Sequence, residues 1–283
     1  MQYRALSNGV ELPMIGYGTF QIQDAAQCEQ CVSEALEAGY RLIDTAASYG
    51  NEAAIGAALR GSGLPREELF LTTKLWVQDA GYDGTLRAFD ASRKRLGLDV
   101  VDLYLIHQPF GDYYGAWRAM ERLYREGAVR AIGVSNFPPD RLVDLCMNRE
   151  IRPMVNQIEI HPFFQQGTAL RVMEAYGVVP QAWGPFSEAQ KDIFHHRALA
   201  KIAARHGRTT AQVILRWHLQ RRIPTIPKTV RRERMAENLD VFDFSLTERE
   251  MECIAGMDIG HSEILDHHSF CAARQINSVK IHG

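Results

Sequence analysis

Residues 41–61 read RLIDTAASYGNEAAIGAALRG, and this stretch predicts a strand, a short loop and a helix. The apolar start of the stretch ends on a carboxylate, Asp44, and Tyr49 lies in the loop five residues later. Asn51 stands where a helix N-cap is expected, directly before Glu52. An aspartate at the end of a strand commonly bonds the backbone of a turn. By itself, therefore, the stretch predicts one strand–loop–helix unit and no chemistry.

The same unit repeats along the chain. Apolar runs of strand length alternate with helical stretches, and eight strands are predicted in residues 15–20, 41–45, 69–76, 100–107, 128–137, 153–160, 178–184 and 223–228. Near-continuous apolar strands are typical of a parallel sheet that is buried on both faces. Eight such units predict an α/β fold of the (β/α)₈ TIM barrel type.

Two additions to the barrel are predicted at its ends. The Asn8-Gly9 pair between short extended pieces predicts an N-terminal β-hairpin. Residues 246–257, LTEREMECIAGM, predict an extra C-terminal helix, and the tail after Met257 has no predicted structure. Because no linker interrupts the pattern, residues 1–283 are expected to form a single barrel domain.

Composition limits the function classes. The chain is 46% hydrophobic and 23% charged, with a formal net charge of −2, so we expect a large folded core and neither nucleic acid nor a membrane as partner. The sequence shows no signal-peptide pattern and no apolar run of membrane-spanning length, which favours a cytoplasmic location. Cys28 and Cys31 lie in a helical stretch without a second pair, so no metal site is expected. We expect a monomer.

Four chemically active side chains are predicted on one rim of the barrel, where the strands end. The second strand ends on Asp44, with Tyr49 in its loop, the third ends near Lys74, and the fourth ends on His107. An ammonium near the phenol lowers its pKa, and a carboxylate keeps that ammonium charged. His107 offers an N–H that could bond a substrate oxygen. The set predicts a proton donor beside a polarised carbonyl group.

A reduction of that carbonyl also needs a hydride, which no side chain supplies, so a cofactor is required. No G-x-G-x-x-G fingerprint is present. In residues 226–238, IPKTVRRERMAEN, the cations Lys228, Arg231, Arg232 and Arg234 crowd the start of a helix. Cations there oppose the helix dipole, and a bound phosphate would resolve the conflict.

Two alternatives stay open at this point. Lys74 could be the nucleophile of a Schiff-base lyase or aldolase, although that chemistry needs a neutral lysine and Asp44 argues against it. The chain could also be a cofactor-binding regulatory subunit without useful turnover. An activity assay decides the second alternative.

The sequence resembles the aldo-keto reductase family along almost its whole length. The matching stretches are GYGTF (16–20), RLIDTAASYGNE (41–52), FLTTKLW (70–76), LYLIHQPFG (103–111), RAIGVSNF (130–137), VNQIEIHP (155–162), QAWGPF (181–186) and IPKTVRRERMAEN (226–238). The chain is most similar to short bacterial members related to 2,5-diketo-D-gluconate reductase and prostaglandin F synthase. The resemblance implies NADPH-dependent reduction of small aldehydes and ketones such as dicarbonyls, ketoacids or keto-sugar acids. It makes Asp44, Tyr49, Lys74 and His107 the catalytic tetrad, with Tyr49 as general acid.

The resemblance also implies a set of cofactor contacts. The nicotinamide carboxamide would be held by Ser135, Asn136 and Gln157, and Trp183 would stack on the ring. The adenosine 2′-phosphate would be held by Lys228, Thr229 and Arg234, and the adenine would contact Glu237 and Asn238. The site would be completed by Thr19, Gly184, Pro185, Phe186 and Val230. Gly184 departs from the serine that the family often has there, and Phe186 stands for leucine. Three aromatic residues that follow strand ends, Phe20, Trp76 and Phe110, are expected to line the substrate pocket.

Overall fold

The computed structural model describes residues 2–267 and 269–283. The chain begins with an antiparallel hairpin of β1 (Tyr3–Ala5) and β2 (Glu11–Pro13). A parallel sheet of seven strands follows, in which sequential strands are neighbours. Its members are β3 (Tyr17–Gly18), β4 (Leu42–Asp44), β5 (Phe70–Leu75), β6 (Val101–Ile106), β7 (Val129–Ser135), β8 (Val155–Glu159) and β9 (Val179–Trp183).

The eighth predicted strand closes the barrel through one bridging residue and a few backbone hydrogen bonds on either side of it. Thr225 forms parallel bridges both to Ile15, next to β3, and to Ala182 in β9. Pro224 and Pro227 lie on either side of this bridge and have no N–H to donate to a ladder. The segment 223–228 therefore occupies the eighth position of the barrel without being a regular strand.

Eleven helices occur in the described part of the chain, and most of them follow a strand as predicted. They are α1 (Ala25–Ala38), α2 (Glu52–Gly61), α3 (Tyr82–Leu96), α4 (Tyr113–Arg125), α5 (Pro139–Asn148), α6 (Gly167–Tyr176), α7 (Arg197–His206), α8 (Thr210–Gln220), α9 (Arg232–Leu239), α10 (Glu248–Ala255) and α11 (Phe270–Ser278). The extra C-terminal helix predicted in residues 246–257 is α10, and α11 lies in the tail for which no structure was predicted. Within residues 2–267 and 269–283, no helix has the length and apolarity needed to cross a bilayer.

Helix α1 illustrates how the sequence specifies these elements. The Asp24 side chain accepts a hydrogen bond from the Gln27 backbone N–H at 2.7 Å and caps the first turn. The helix ends at Gly39, whose φ of 109° lies in the left-handed region that glycine tolerates. Cys28 and Cys31 are both on its buried face, where burial raises the pKa of the Cys28 thiol to about 11. This thiol pair packs into the core.

Candidate active site

The four predicted catalytic side chains converge at the carboxyl ends of β4, β5 and β6. Lys74 lies near the end of β5, and its Nζ forms a buried salt bridge with Oδ1 of Asp44, the last residue of β4. The same Nζ lies 3.4 Å from the Tyr49 hydroxyl oxygen. His107 follows β6, and its ring centroid is 5.6 Å from that of Tyr49. The phenol thus contacts the ammonium on one side and the imidazole on another.

Electrostatics keeps the Tyr49 phenol in its protonated form at neutral pH. Burial raises the pKa of Tyr49 above that of a free phenol, while the Lys74 ammonium opposes the rise and Asp44 adds to it. As expected from the sequence, the Lys74 ammonium by itself lowers the pKa of Tyr49. The expectation of a lowered pKa overall is wrong, because the effect of burial is larger than that of the ammonium. A protonated phenol is the form that can donate a proton.

Asp44 and Lys74 form a buried charge pair whose remaining polar atoms are also bonded. Burial lowers the pKa of Lys74, but Asp44 and Tyr49 outweigh it, and the net pKa lies above the ordinary value. Burial raises the pKa of Asp44 against the pull of Lys74 and of the Gln157 amide. Gln157 Nε2 donates to Asp44 Oδ2 at 2.7 Å, and Lys74 Nζ also donates to the Thr45 carbonyl oxygen at 2.9 Å. The lysine is therefore held charged and oriented.

His107 is the neutral member of the set. Burial, followed by the Lys74 ammonium and His267, holds the pKa of His107 well below its ordinary value. The ring packs edge-on against Trp76, with centroids 5.4 Å apart. A neutral imidazole has one N–H and one lone-pair nitrogen, so it can donate one hydrogen bond to a substrate oxygen.

The residues expected to hold the nicotinamide carboxamide form one connected network. Ser135 and Gln157 are register partners on β7 and β8, and the Ser135 hydroxyl donates to the Gln157 carbonyl oxygen at 2.8 Å. Asn136 takes the left-handed conformation with φ of 61°, and its Nδ2 donates to the His107 carbonyl oxygen at 3.1 Å. Its Oδ1 accepts from Trp183 Nε1 at 2.8 Å. Asn136 therefore links the predicted ring-stacking residue to the loop of the imidazole.

The backbone explains the glycine at position 184. Gly184 has a φ of 58°, in the region that favours glycine, and a Cβ there would meet Ile264 Cδ1 at 3.3 Å. Phe186, two residues later, packs its ring 5.4 Å from that of Phe194. The segment from Gly184 through Pro185 to Phe186 leads into the kinked 3₁₀ segment Ser187–His195, which precedes α7.

A pocket of about 360 Å³ is lined by most of the residues expected at the adenosine end of the cofactor. Its predicted members are Phe186, Lys228, Thr229, Arg234, Glu237 and Asn238, and it is completed by Phe194, His195, Thr209, Thr210 and Ala211. Val230 follows Thr229 in the chain, but it is exposed and does not line the pocket. Among the described residues, neither Lys228 nor Arg234 has a carboxylate within ion-pair distance, whereas Arg232 pairs with Glu37 at 2.9 Å. Within the described part of the chain, the pocket therefore presents two cations without an ion-pair partner, which suits a bound phosphate.

Two of the three predicted substrate-pocket aromatics flank the tetrad directly. The Phe20 ring is 49% exposed and lies 4.9 Å from the Tyr49 ring. Trp76 is buried, and its Nε1 donates to the Val279 carbonyl oxygen at 2.9 Å. Phe110 packs with Trp76 against the apolar face of α11. The C-terminal tail thus forms part of the wall beside the tetrad.

The end of the chain is fastened to the loop that follows β5. His282 Nε2 lies 2.9 Å from both carboxylate oxygens of Asp79, and the Ile281 N–H donates to Gln78 Oε1 at 2.8 Å. Sequence reasoning missed this contribution. The available signal was Ser269, whose side chain accepts from the Ala272 N–H as the N-cap of α11.

Two further positions within the site, Asn51 and Gln181, were misread or missed. Asn51 precedes α2 as predicted, but its side chain does not cap the helix; its Nδ2 donates to the carbonyl oxygens of Thr19 and Ile22. Thr19 in turn donates its hydroxyl to the Asp44 carbonyl oxygen at 2.9 Å. Gln181 on β9 accepts from Gln157 Nε2 at 2.9 Å. Gln181 precedes Trp183 by two residues, so strand periodicity could have placed both side chains on one face.

Comparison with known proteins identifies the family of the chain. Residues 14–259 match the aldo/keto reductase family. The chain is 47% identical over 251 residues to a 9,11-endoperoxide prostaglandin H2 reductase of Trypanosoma cruzi, covering 88% of this chain and 89% of that one. It is 45% identical over 254 residues to a glyoxal reductase of Bacillus subtilis, covering 89% and 91%.

Solved structures give the same result. An aldo-keto reductase from a deep-sea metagenome library superposes with a TM-score of 0.92 at 43% identity, covering 94% of this chain and 98% of that one. A Bombyx mori aldo-keto reductase in complex with NADP superposes with a TM-score of 0.89 at 33% identity, covering 94% and 95%. The chain belongs to the aldo/keto reductase family. It is an oxidoreductase.

Proposed function

We propose that this protein reduces small aldehydes and ketones to alcohols with NADPH, and that Tyr49 is the proton donor. The observation that carries the proposal is the contact of the Tyr49 hydroxyl with Lys74 Nζ, at 3.4 Å, beside the neutral imidazole of His107. The substrate class is a small carbonyl compound with an activating neighbour, such as a dicarbonyl, a ketoacid or a keto-sugar acid. The glyoxal reductase of Bacillus subtilis supports the dicarbonyl member of this class.

NADPH is the cofactor of the aldo/keto reductase family, and the side chains of this protein fit it. The pocket with Lys228 and Arg234 offers two cations without a carboxylate partner among the described residues, which suits the 2′-phosphate that distinguishes NADPH from NADH. Oε1 of Gln157 is the end of that amide left for the carboxamide, because Nε2 already donates to Asp44 and Gln181. When bound, the nicotinamide supplies the hydride.

The chain's own residues handle the proton and the substrate oxygen. As the carbonyl carbon gains the hydride, its oxygen becomes an alkoxide and takes the proton from the Tyr49 hydroxyl. The Lys74 ammonium stabilises the phenolate that remains, and Asp44 keeps that ammonium charged. His107 donates its N–H to the substrate oxygen and fixes the direction of the carbonyl group. Phe20 and Trp76 cover the apolar side of the substrate.

The Schiff-base alternative is disfavoured by the state of the lysine. A nucleophilic amine must be neutral, but the salt bridge with Asp44 raises the pKa of Lys74 above its ordinary value. Borohydride added with a carbonyl substrate should therefore leave no covalent adduct on Lys74.

The direct test is a panel of aldehydes, ketoacids and dicarbonyls assayed with NADPH and with NADH by loss of reduced-nicotinamide absorbance. We expect at least one class to be consumed, with one alcohol formed per NADPH oxidised and a slower reaction with NADH. An enzyme that binds NADPH but oxidises it with no member of the panel would contradict the proposed function.

A further inference from the structure

The side chain directly before Tyr49 contacts the catalytic imidazole. Ser48 lies in the 3₁₀ turn Ala47–Tyr49 and is half-buried. Its Oγ lies 3.3 Å from His107 Nδ1, across 59 residues of sequence. The hydroxyl therefore meets one nitrogen of the ring and leaves the other, Nε2, on the far side.

The hydrogen bond between the Ser48 hydroxyl and Nδ1 influences which nitrogen of the His107 ring carries the proton. The neutral imidazole has two tautomers, and a hydroxyl can either donate to the ring or accept from it. An imidazole nitrogen is a much more basic acceptor than an alcohol oxygen, so the O–H···N arrangement is the stronger of the two. With Nδ1 accepting from Ser48, the ring proton must lie on Nε2.

The charges around the ring keep it in the neutral state to which this choice applies. The Lys74 ammonium and His267 both disfavour a second proton on His107, and the Tyr49 and Trp76 rings shield it from water. Asp44 is the carboxylate of the tetrad, and it is already paired with Lys74. The tautomer, and not the charge, is therefore the variable that a neighbouring hydroxyl can set.

We propose that Ser48 is a positioning residue that holds His107 as the Nε2–H tautomer, so that the imidazole donates to the carbonyl oxygen of the substrate. The inference rests on the proposed function, because it names a partner for the same imidazole. Without the hydroxyl the two tautomers compete, and the Nδ1–H form presents a lone pair to a carbonyl oxygen and repels it.

The test reads the tautomer directly by nuclear magnetic resonance of the protein labelled with ¹⁵N-histidine, with the His107 signals assigned from their loss in His107→Gln. The variants are Ser48→Ala and the isosteric pair Ser48→Thr and Ser48→Val, which differ only in the hydroxyl. In the wild type and in Ser48→Thr we expect the Nδ1 shift of an unprotonated acceptor and the Nε2 shift of an N–H. In Ser48→Ala and Ser48→Val both shifts should move toward a mixture.

Activity should follow the tautomer. For an aldehyde of the panel, kcat/KM should fall by about two- to tenfold in Ser48→Ala and Ser48→Val, the range for loss of one neutral hydrogen bond, and recover in Ser48→Thr. The dissociation constant for NADPH should stay the same in all three variants, because Ser48 has no part in the proposed cofactor site.

The inference is overturned if the wild-type ring carries its proton on Nδ1, or if Ser48→Ala changes neither the shifts nor kcat/KM. A fall in kcat/KM with unchanged shifts also overturns it and makes Ser48 a substrate contact. The shifts are read without turnover, so an inactive wild type would count against the proposed function alone.

Discussion

Lys74 is the residue on which the other tetrad members depend. It contacts Asp44, Tyr49 and the Thr45 carbonyl at once, and it is 1% exposed. Removing its charge takes away the interaction that opposes the burial-driven rise of the Tyr49 pKa. It also leaves Asp44 as a buried carboxylate without its cation, which is costly in a low-dielectric interior.

Replacing this lysine should therefore weaken the acid and shift its titration. In Lys74→Met we expect kcat for reduction to fall by roughly 10²–10⁴-fold, the size of a lost general acid. Reduction needs the protonated phenol, so its rate declines as pH rises through the pKa of Tyr49. That alkaline decline should move to higher pH in Lys74→Met, because the pKa of Tyr49 rises further.

The measurement is kcat against pH for reduction and for the reverse oxidation, which needs the phenolate and should suffer more. Asp44→Asn should be less damaging, since the carboxylate acts through the lysine. The exposed Lys201→Met on α7 is the matched control and should leave the profile unaltered. An alkaline limb that stays in place in Lys74→Met would show that the lysine does not tune the phenol.

Sequence reasoning located the tetrad because each member follows a strand end, and strand ends share one rim in a parallel barrel. It did not find Ser48 or Gln181, whose roles depend on contacts between residues far apart in the chain. It also gave Asn51 a local role, as a helix cap, where the folded chain uses the amide to join two loops. Local patterns predict position on an element, whereas the partner of a polar side chain is set by tertiary structure.

The element that we propose sets the cofactor preference is the start of α9. Lys228 lies in the segment before the helix and Arg234 in its first turns, and both line the pocket of about 360 Å³. In the described structure, no side chain caps this helix at Arg231. An anion bound here would satisfy the cations and the helix dipole together.

The double change Lys228→Ala with Arg234→Ala should collapse the preference for NADPH over NADH. Loss of two charge-assisted hydrogen bonds should weaken NADPH binding by roughly 10²-fold, while NADH binding hardly changes. The dissociation constants are measured by quenching of tryptophan fluorescence at fixed low salt, because the contacts are ionic.

A matched control removes the same charge from the same helix start. Arg231→Ala with Arg232→Ala takes away two cations that do not line the pocket, one of them already paired with Glu37. This control should leave the cofactor preference intact. Equal weakening of NADPH and NADH by the pocket variant would mean that the cluster is not a 2′-phosphate site.

At the scale of elements, sequence patterns predicted the seven regular strands and all the helices up to α10. The eighth strand was predicted as regular, but two prolines reduce it to a bridge at Thr225. Helix α11 was missed although five of the nine residues in FCAARQINS are apolar, and its buried face packs against Trp76 and Phe110.

Across the molecule as a whole, the proposed chemistry and a buried ionic cluster lie toward opposite ends of the barrel. The tetrad lies at the carboxyl ends of the strands, whereas Asp102 lies near the start of β6, toward the opposite end. Asp102 is fully buried and accepts hydrogen bonds from Arg66 at 2.5 Å, Arg130 at 2.8 Å and the Leu71 N–H at 2.8 Å. The Asp102 carboxylate therefore links three segments near the amino-terminal ends of the barrel strands.

Asp102→Asn should lower stability without touching catalysis. Loss of the buried carboxylate leaves its two arginines without a counter-charge and should cost about 2–4 kcal/mol, or roughly 5–10 °C in Tm. The control is Asp99→Asn, a carboxylate three residues earlier that is fully exposed and should leave Tm unchanged. Thermal unfolding by circular dichroism and kcat on a panel substrate are the two readouts. A changed kcat with an unchanged Tm would contradict this division of the molecule.

The monomeric state and the cytoplasmic location expected from the sequence stay predictions at this scale, as does the extent of the single domain. The family match over residues 14–259 leaves out most of the tail that packs on Trp76. The tail is thus the part of the chain for which the family gives least guidance.

The central claim is that Tyr49 donates the proton in carbonyl reduction by NADPH, and Tyr49→Phe tests it most directly. The substitution removes the hydroxyl and keeps the ring that packs against Phe20 and His107. Single-turnover reduction of an unactivated aldehyde, together with the dissociation constant for NADPH, should be measured in both proteins. We expect the rate of reduction to fall by about 10²–10⁴-fold or more while NADPH binding stays within about threefold of the wild type. A rate within about threefold of the wild type, with NADPH bound normally, would show that another group delivers the proton.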